Sequence, residues 1–171
     1  IEVVVPVEDM GALGEVIDEP VSGPAAGGPV RRSIWPSLHP RLLELVEEHR
    51  STIIFVNARR LAERLATRLN ELHLEGVNRS AEATGTSPEV GRELVMAHHG
   101  SLSRERRLFI EDQLKRGELK GLVATSSLDL GIDWGDVDLV IQVGAPKNVK
   151  RLVQRIGRAN HRYNAPSKAL L

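Results

Sequence analysis

Thr52-Ile53-Ile54-Phe55-Val56 runs directly into Asn57-Ala58-Arg59-Arg60-Leu61, and the change of pattern at Asn57 decides the fold. Up to Val56 the residues are apolar and rich in β-branched types, the composition of a short strand buried on both faces. Beyond Asn57, Leu61, Leu65, Leu69 and Leu72 recur every three or four residues with Arg and Glu between them. That spacing predicts an amphipathic helix to about Leu72, with Asn57 as its cap. A strand that passes at once into a helix is half of a βαβ unit, and such units build parallel sheets with ligand sites at the strands' carboxyl ends.

The alternation continues on both sides of this unit. Apolar residues at helical spacing from Pro36 to His49 predict a helix before the Thr52 strand. After it, Glu75 to Gly91 has no period and is rich in Gly, Ser, Thr and Asn, the composition of a flexible surface insertion. Leu94 to Ala97 reads as a strand, Ser103 as the cap of a helix that Gly117 ends, Leu122 to Thr125 as a strand, and Ser126 to Leu130 as a helical turn. Leu139 to Val143 is a further strand, Val149 to Ala159 a basic helix, and Lys168 opens a terminal strand. Ile1 to Val7 reads as a leading strand and Asp18 to Arg32 as a Gly/Pro-rich linker. The expectation is an α/β fold of three layers with a mostly parallel central sheet. Residues 1–35 form its leader and residues 36–171 its body.

Composition agrees. The 171 residues are 41% apolar and 27% charged, a globular balance, and aromatics at 3% leave the core to Val, Ile, Leu and Ala. Twenty-three basic residues cancel 23 acidic ones, so any nucleic-acid binding is local rather than a property of overall charge. The charge is uneven: Lys147 to Arg162 holds six Lys or Arg and no acid, a stretch suited to an anion. The absence of cysteine excludes a disulfide framework and a thiolate metal site, and fits a reducing compartment, read as the bacterial cytosol or nucleoid. No apolar run is long enough for a membrane span. The chain starts inside one strand-like run without Met and stops inside another, which reads as a piece of a longer protein.

In a parallel sheet the loops after the strands share one edge, and here those loops carry the unusual polar runs. Asn57-Ala58-Arg59-Arg60, His98-His99-Gly100-Ser101, Thr125-Ser126-Ser127 through Gly131-Ile132-Asp133, and Pro146-Lys147-Asn148 each follow a strand. Taken singly, Asn57, Ser103 and Asn148 are explained as helix caps and the two histidines as partly buried turn residues. Gly100 permits close backbone approach, so that neighbouring N–H groups and the Ser101 hydroxyl can bind a phosphate. Thr125 and Ser126 open a helical turn after a strand, another phosphate-competent position. Asp133, beyond the tight turn at Gly131, can accept from a ribose or from backbone. Arg155 and Arg158 lie three apart on a helix and, with Gln154, aim planar donors at one point. The bland alternative for that helix is solvation or ion pairing with the acidic stretch Leu43 to Glu48. Guanidinium forks suit a phosphoryl group whose charge spreads over several oxygens.

These runs resemble the second RecA-like domain of superfamily 2 helicases, specifically the Lhr (large helicase-related) family. Ile53 to Arg59 looks like motif IV, His98-His99-Gly100-Ser101-Leu102-Ser103 like the segment that follows it, Ala124 to Asp133 like motif V, and Gln154 to Arg162 like motif VI. The match spans nearly the whole chain. The resemblance implies that Asn57, Arg59, His99, Gly100, Ser101, Thr125 and Ser126 touch the sugar-phosphate backbone of a tracked strand. It implies that Gly131 and Asp133 border the ribose of ATP, and that Gln154, Arg155 and Arg158 approach its phosphates, with Arg158 as arginine finger. At His161 many relatives place a second arginine, and either His161 or Arg162 takes that position here. Some details look like the branch associated with DNA ligase and repair nucleases, while the leader and insertion look like long bacterial members.

The sequence contains no G-x-x-x-x-G-K-[ST] phosphate loop and no acidic magnesium box. The resemblance therefore implies that ATP and Mg2+ are held by a preceding RecA-like domain, that a winged-helix domain follows, and that this chain alone is inactive. Its implied activity is 3′ to 5′ translocation on single-stranded DNA or a DNA/RNA duplex, in DNA repair. The competing possibilities are an ATP-independent nucleic-acid-binding module, an RNA or RNA–DNA hybrid helicase, and a restriction or chromatin-remodelling translocase.

Overall fold

In the computed structural model, residues 16–17, 30–31, 34–86, 93–126, 137–145, 148–157 and 168–170 are described. The chain order is β1 (Val16–Ile17), β2 (Val30–Arg31), α1 (Trp35–Glu48), β3 (Thr52–Phe55), α2 (Arg59–Thr84) and β4 (Val95–His98). It continues with α3 (Arg104–Lys115), β5 (Gly121–Ala124), β6 (Leu139–Gln142), α4 (Val149–Ile156) and β7 (Lys168–Leu170). β1 and β2 form a small antiparallel ladder; the other five strands form one parallel sheet in the order β4-β5-β3-β6-β7. The α/β expectation holds, with β3 at the centre of the sheet.

Alternation along β3 divides the core in two. Ile54 and the following Val56 join Leu42, Val46, Leu65 and Leu69 on the face covered by α1 and α2. Ile53 and Phe55 join Ile110, Leu114, Leu122 and Val140 on the face covered by α3. Both faces are therefore buried, and all four residues of β3 are inaccessible. Gly121 fits because β5 passes close to both neighbours: a Cβ there would lie 2.9 Å from Val95 Cγ2 and 3.1 Å from Val46 Cγ1.

The edge strand β4 is guarded. The Asn70 side chain donates from Nδ2 to the Val95 carbonyl at 2.9 Å and accepts from the Val95 N–H at 3.0 Å, standing in for a neighbour strand that the described residues do not supply. At the same amino ends of the strands, Lys120 donates to the Glu47 and His49 carbonyls, and Arg50 pairs with Asp138 at 3.1 Å. Burial raises the Asp138 carboxyl, but the side-chain and backbone hydrogen bonds from Arg50, with its charge, outweigh that and hold it below its ordinary value.

Two expectations change. α2 does not stop near Leu72 but runs to Thr84, closed by Gly85 at φ 69°, so residues 75–84 of the expected insertion are helical. That half of the helix has only a thin apolar stripe, Leu74, Val77 and Ala81, interrupted by Gly76 and polar residues, and the sequence reading passed over it. Arg68 bridges Glu71 and Glu75, Arg79 bonds the Glu75 carbonyl, and the left-handed glycine closes the last turn. Asn57 is not the cap: Ala58 occupies that position without a side-chain cap bond, and Asn57 reaches instead to the Ala145 carbonyl at 2.8 Å. Ser103 and Asn148 do cap their helices, accepting from the Arg106 and Arg151 N–H groups. The Ile1 to Val7 strand, most of the linker and the turn over 127–130 lie outside the described residues.

Candidate functional site

Parallel register places the carboxyl ends of β3, β4, β5 and β6 along one rim of the sheet. The loops leaving that rim are fastened to one another by side chains. Arg59, the first residue of α2, donates to the Ser101 hydroxyl in the loop after β4. Glu63, one turn further along the same face of α2, takes a hydrogen bond from His99 Nε2 at 2.9 Å. α2 thus grips Ser101 and His99, two residues apart in the loop, with two side chains one helical turn apart. On the other side of the sheet His98 Nε2 meets Glu111 of α3 at 3.3 Å.

The two histidines therefore have separate carboxylates on opposite helix layers. Both rings are buried. Burial pushes the His98 imidazole below its ordinary value, against the opposing pull of Glu111, so the ring is neutral near pH 7. Gly100 and Ser101, between these anchors and the Ser103 cap, remain exposed. Across the rim the Thr125 N–H bonds the His98 carbonyl at 3.2 Å, which fixes the loop after β5 beside the loop after β4. Thr125 is half-buried and Ser126 exposed. On the far side Asn57 joins the loop after β3 to the loop after β6. Asn57, Arg59, His99, Gly100, Ser101, Thr125 and Ser126 are thus brought to one rim, with Asn57, Arg59, Gly100, Ser101 and Ser126 open to solvent.

α4 separates residues that sequence spacing placed together. Gln154 is exposed, whereas Arg155 is 4% exposed. The Arg155 guanidinium donates to Gln142 Oε1 at 2.6 Å and lies over the Phe55 ring, 4.6 Å from its centroid. Gln142 is itself fixed by donating from Nε2 to the Val143 and Gly144 carbonyls. Arg155 thus faces the sheet and Gln154 the solvent. Gly131, Asp133, Arg158, His161 and Arg162 lie outside the described residues.

Residues not singled out in the sequence complete this geometry: Glu63, Glu111, Gln142 and Phe55. Glu63 was findable as the residue one helical turn from Arg59, and Gln142 as the polar member of an otherwise apolar strand run. Glu111 carried no signal, because only the fold brings it beneath His98.

A doubly covered parallel sheet with polar, phosphate-competent loops gathered at its carboxyl rim defines a RecA-like α/β domain of the kind found in nucleic-acid motors. Comparison with known proteins agrees. Residues 37–163 match the profile described as helicase conserved C-terminal domain. The chain is 49% identical over 156 residues, 81% of its length, to the Lhr helicase/probable uracil glycosylase of Mycolicibacterium smegmatis, and 45% identical over 99% of its length to the Lhr helicase/uracil glycosylase of Escherichia coli. It spans only 10% and 12% of those two proteins. A solved structure of Mycobacterium smegmatis helicase Lhr bound to ssDNA and AMP-PNP superposes with a TM-score of 0.75 at 47% identity, over 99% of this chain and 19% of that one. The DUF1998 helicase MrfA bound to DNA and AMPPNP gives a TM-score of 0.65 at 26% identity, over 82% of this chain and 18% of that one. The chain belongs to the helicase conserved C-terminal domain family, as the second RecA-like domain of an Lhr-type superfamily 2 helicase.

Proposed function

We propose that this chain is the C-terminal motor domain of an ATP-dependent 3′ to 5′ DNA helicase or translocase acting in DNA repair. The observation that carries the reading is the fastened rim, where Arg59, Ser101, Gly100 and Thr125 present donors on loops held to a rigid sheet. It is supported by the related Lhr structure, which holds ssDNA and AMP-PNP. Asn57, Arg59, Gly100, Ser101, Thr125 and Ser126 grip the sugar-phosphate backbone, positioning the strand without reading its bases. His99, buried against Glu63, holds the loop of Gly100 and Ser101 rather than touching the strand.

ATP, when bound in the cleft with the N-terminal RecA-like domain, supplies the phosphoryl transfer that drives opening and closing. From this chain Gln154 contributes an exposed donor, Arg158 the arginine finger, and His161 or Arg162 the second cation. Gly131 and Asp133 border the ribose. Arg155, already committed to Gln142 and Phe55, anchors α4, the helix that carries Gln154. In this reading Mg2+ is coordinated by the N-terminal domain. A winged-helix domain of the same protein completes the strand channel. Among the described residues no helix is long and apolar enough to cross a membrane.

The test is ATP hydrolysis by the full-length protein with and without single-stranded DNA. Arg158→Ala should lower turnover by roughly 10³-fold, and Thr125→Ala should weaken stimulation by DNA. Turnover within a few fold of wild type removes Arg158 from the finger role; undiminished stimulation removes Thr125 from the strand track.

A further inference from the structure

The first two turns of α2 carry two cations with no acidic partner among the described residues. Arg60 and Arg64 are exposed, lie one turn apart on the same side of the helix, and have no ion-pair or hydrogen-bond partner among the described residues. Beside Arg64 lies the start of α1. Lys120 holds the carboxyl end of α1 at the edge of the sheet opposite the rim, so its amino end, with Trp35, points toward the rim. There the Trp35 ring stacks on His39, centroids 5.3 Å apart and planes inclined by 24°.

A groove of about 460 Å³ opens between the two helices, lined by Trp35, His39, Leu61, Arg64 and Leu65 among others. Its size falls within the usual range of small-ligand sites and accommodates one nucleoside. Burial, and then the charge of Arg68, lower the His39 imidazole, so the stacked pair is neutral near pH 7. Glu63 and Glu71 also line the groove, but Glu63 is engaged by His99 and Glu71 by Arg68. Arg64, which has no carboxylate partner among the described residues, therefore offers its charge next to a flat aromatic surface.

We propose that this groove is a nucleobase site: an unpaired base of the strand leaving the rim stacks against the Trp35–His39 pair, while Arg60 and Arg64 hold the flanking phosphates. The pairing of π-platform and cation is what sequence-tolerant single-strand sites use. This inference rests on the rim being the strand track, and it extends that track from Arg59 over the first turns of α2.

The experiment measures binding of the full-length protein to a set of single-stranded oligodeoxynucleotides, each carrying one abasic site at a different position. Wild type should lose affinity on the order of tenfold at one position beyond the stretch gripped by the rim. Trp35→Leu should lose a similar factor on the intact strand and no more on that abasic strand, while Trp35→Phe should behave like wild type. Arg64→Ala, on an exposed residue, should reduce the slope of log affinity against log salt by about one. A wild-type scan with no sensitive position, or Trp35→Leu and abasic losses that simply add, overturns the proposal. Should Trp35→Leu fail to fold, the wild-type scan and the Arg64→Ala salt slope decide it. Arg59→Ala separates the two levels. If it weakens binding while the groove tests fail, only the nucleobase site is wrong; if it too has no effect, the strand track itself is wrong.

Discussion

Arg155 Nη1 and Gln142 Oε1 stand 2.6 Å apart in the buried space between α4 and the end of β6. This contact, with the stack on Phe55, fixes the orientation of a helix whose opposite face is exposed at Val149 and Val153. Arg155→Ala should cost about 2–3 kcal/mol of stability, as a charge-assisted hydrogen bond and a desolvated cation–π contact are lost together. Arg155→Lys should recover less than half of it, since an ammonium lacks the planar fork. Urea unfolding of the chain measures both, and a loss under 0.5 kcal/mol for the alanine variant would show that α4 is held by other contacts.

The Glu63–His99 and Arg59–Ser101 contacts make a clamp. Glu63→Ala should leave the domain folded, because Glu63 is mostly exposed, and should let the His99–Ser101 loop move relative to α2. In the full-length protein the DNA concentration for half-maximal ATPase stimulation should rise roughly tenfold, the equivalent of one charge-assisted hydrogen bond. Turnover at saturating DNA should change little. A fall in saturated turnover with unchanged DNA dependence would contradict a positioning role.

Much of this was legible in the sequence, and the gaps have physical causes. The strands were found because a doubly covered parallel strand is continuously apolar, and the α3 and α4 starts because Ser103 and Asn148 carry cap chemistry. The second half of α2 was missed because its apolar stripe is thin, Leu74, Val77 and Ala81 among Gly, Ser, Thr and Asn, with local ion pairs and a glycine cap helping to hold its turns. Grouping Gln154 with Arg155 failed because helical spacing gives relative angle but not which side faces the sheet. Only the position of Phe55 and Gln142 decides that.

The pH dependence of stability should show two windows. Burial keeps His98 neutral, so below the ordinary imidazole value of 6.5 the unfolded chain binds more protons than the folded domain. This contribution is complete above that value and drains away as pH falls through it. Asp138, held low by Arg50, stabilises above the ordinary carboxylate range, and its contribution is lost only as pH falls further, through its depressed folded value. Melting temperature followed from pH 8 downward should therefore decline first near pH 6.5, and His98→Gln should reduce that step, the remainder belonging to His39, while leaving the acid one. A melting temperature constant between about pH 7 and pH 5 would disprove the first window.

Asn70→Ala should remove both bonds to Val95, destabilising the domain by about 1–2 kcal/mol and baring the edge of β4. Asn70→Asp keeps the acceptor but sets a carboxylate against the Val95 carbonyl, and should be no better. Unfolding midpoint and light scattering on storage are the measurements; unchanged scattering in both variants would show that the edge is protected by something else.

The strand order also dictates when the sheet can exist at all. β3 and β4 are not neighbours; each pairs with β5. A chain emerging from the ribosome therefore displays two apolar strands and their helices with no ladder to form among them until Gly121 to Ala124 has been made. β5 acts as a keystone: its arrival joins β4 to β3 in one event, and until then the exposed strands offer bare edges to other chains.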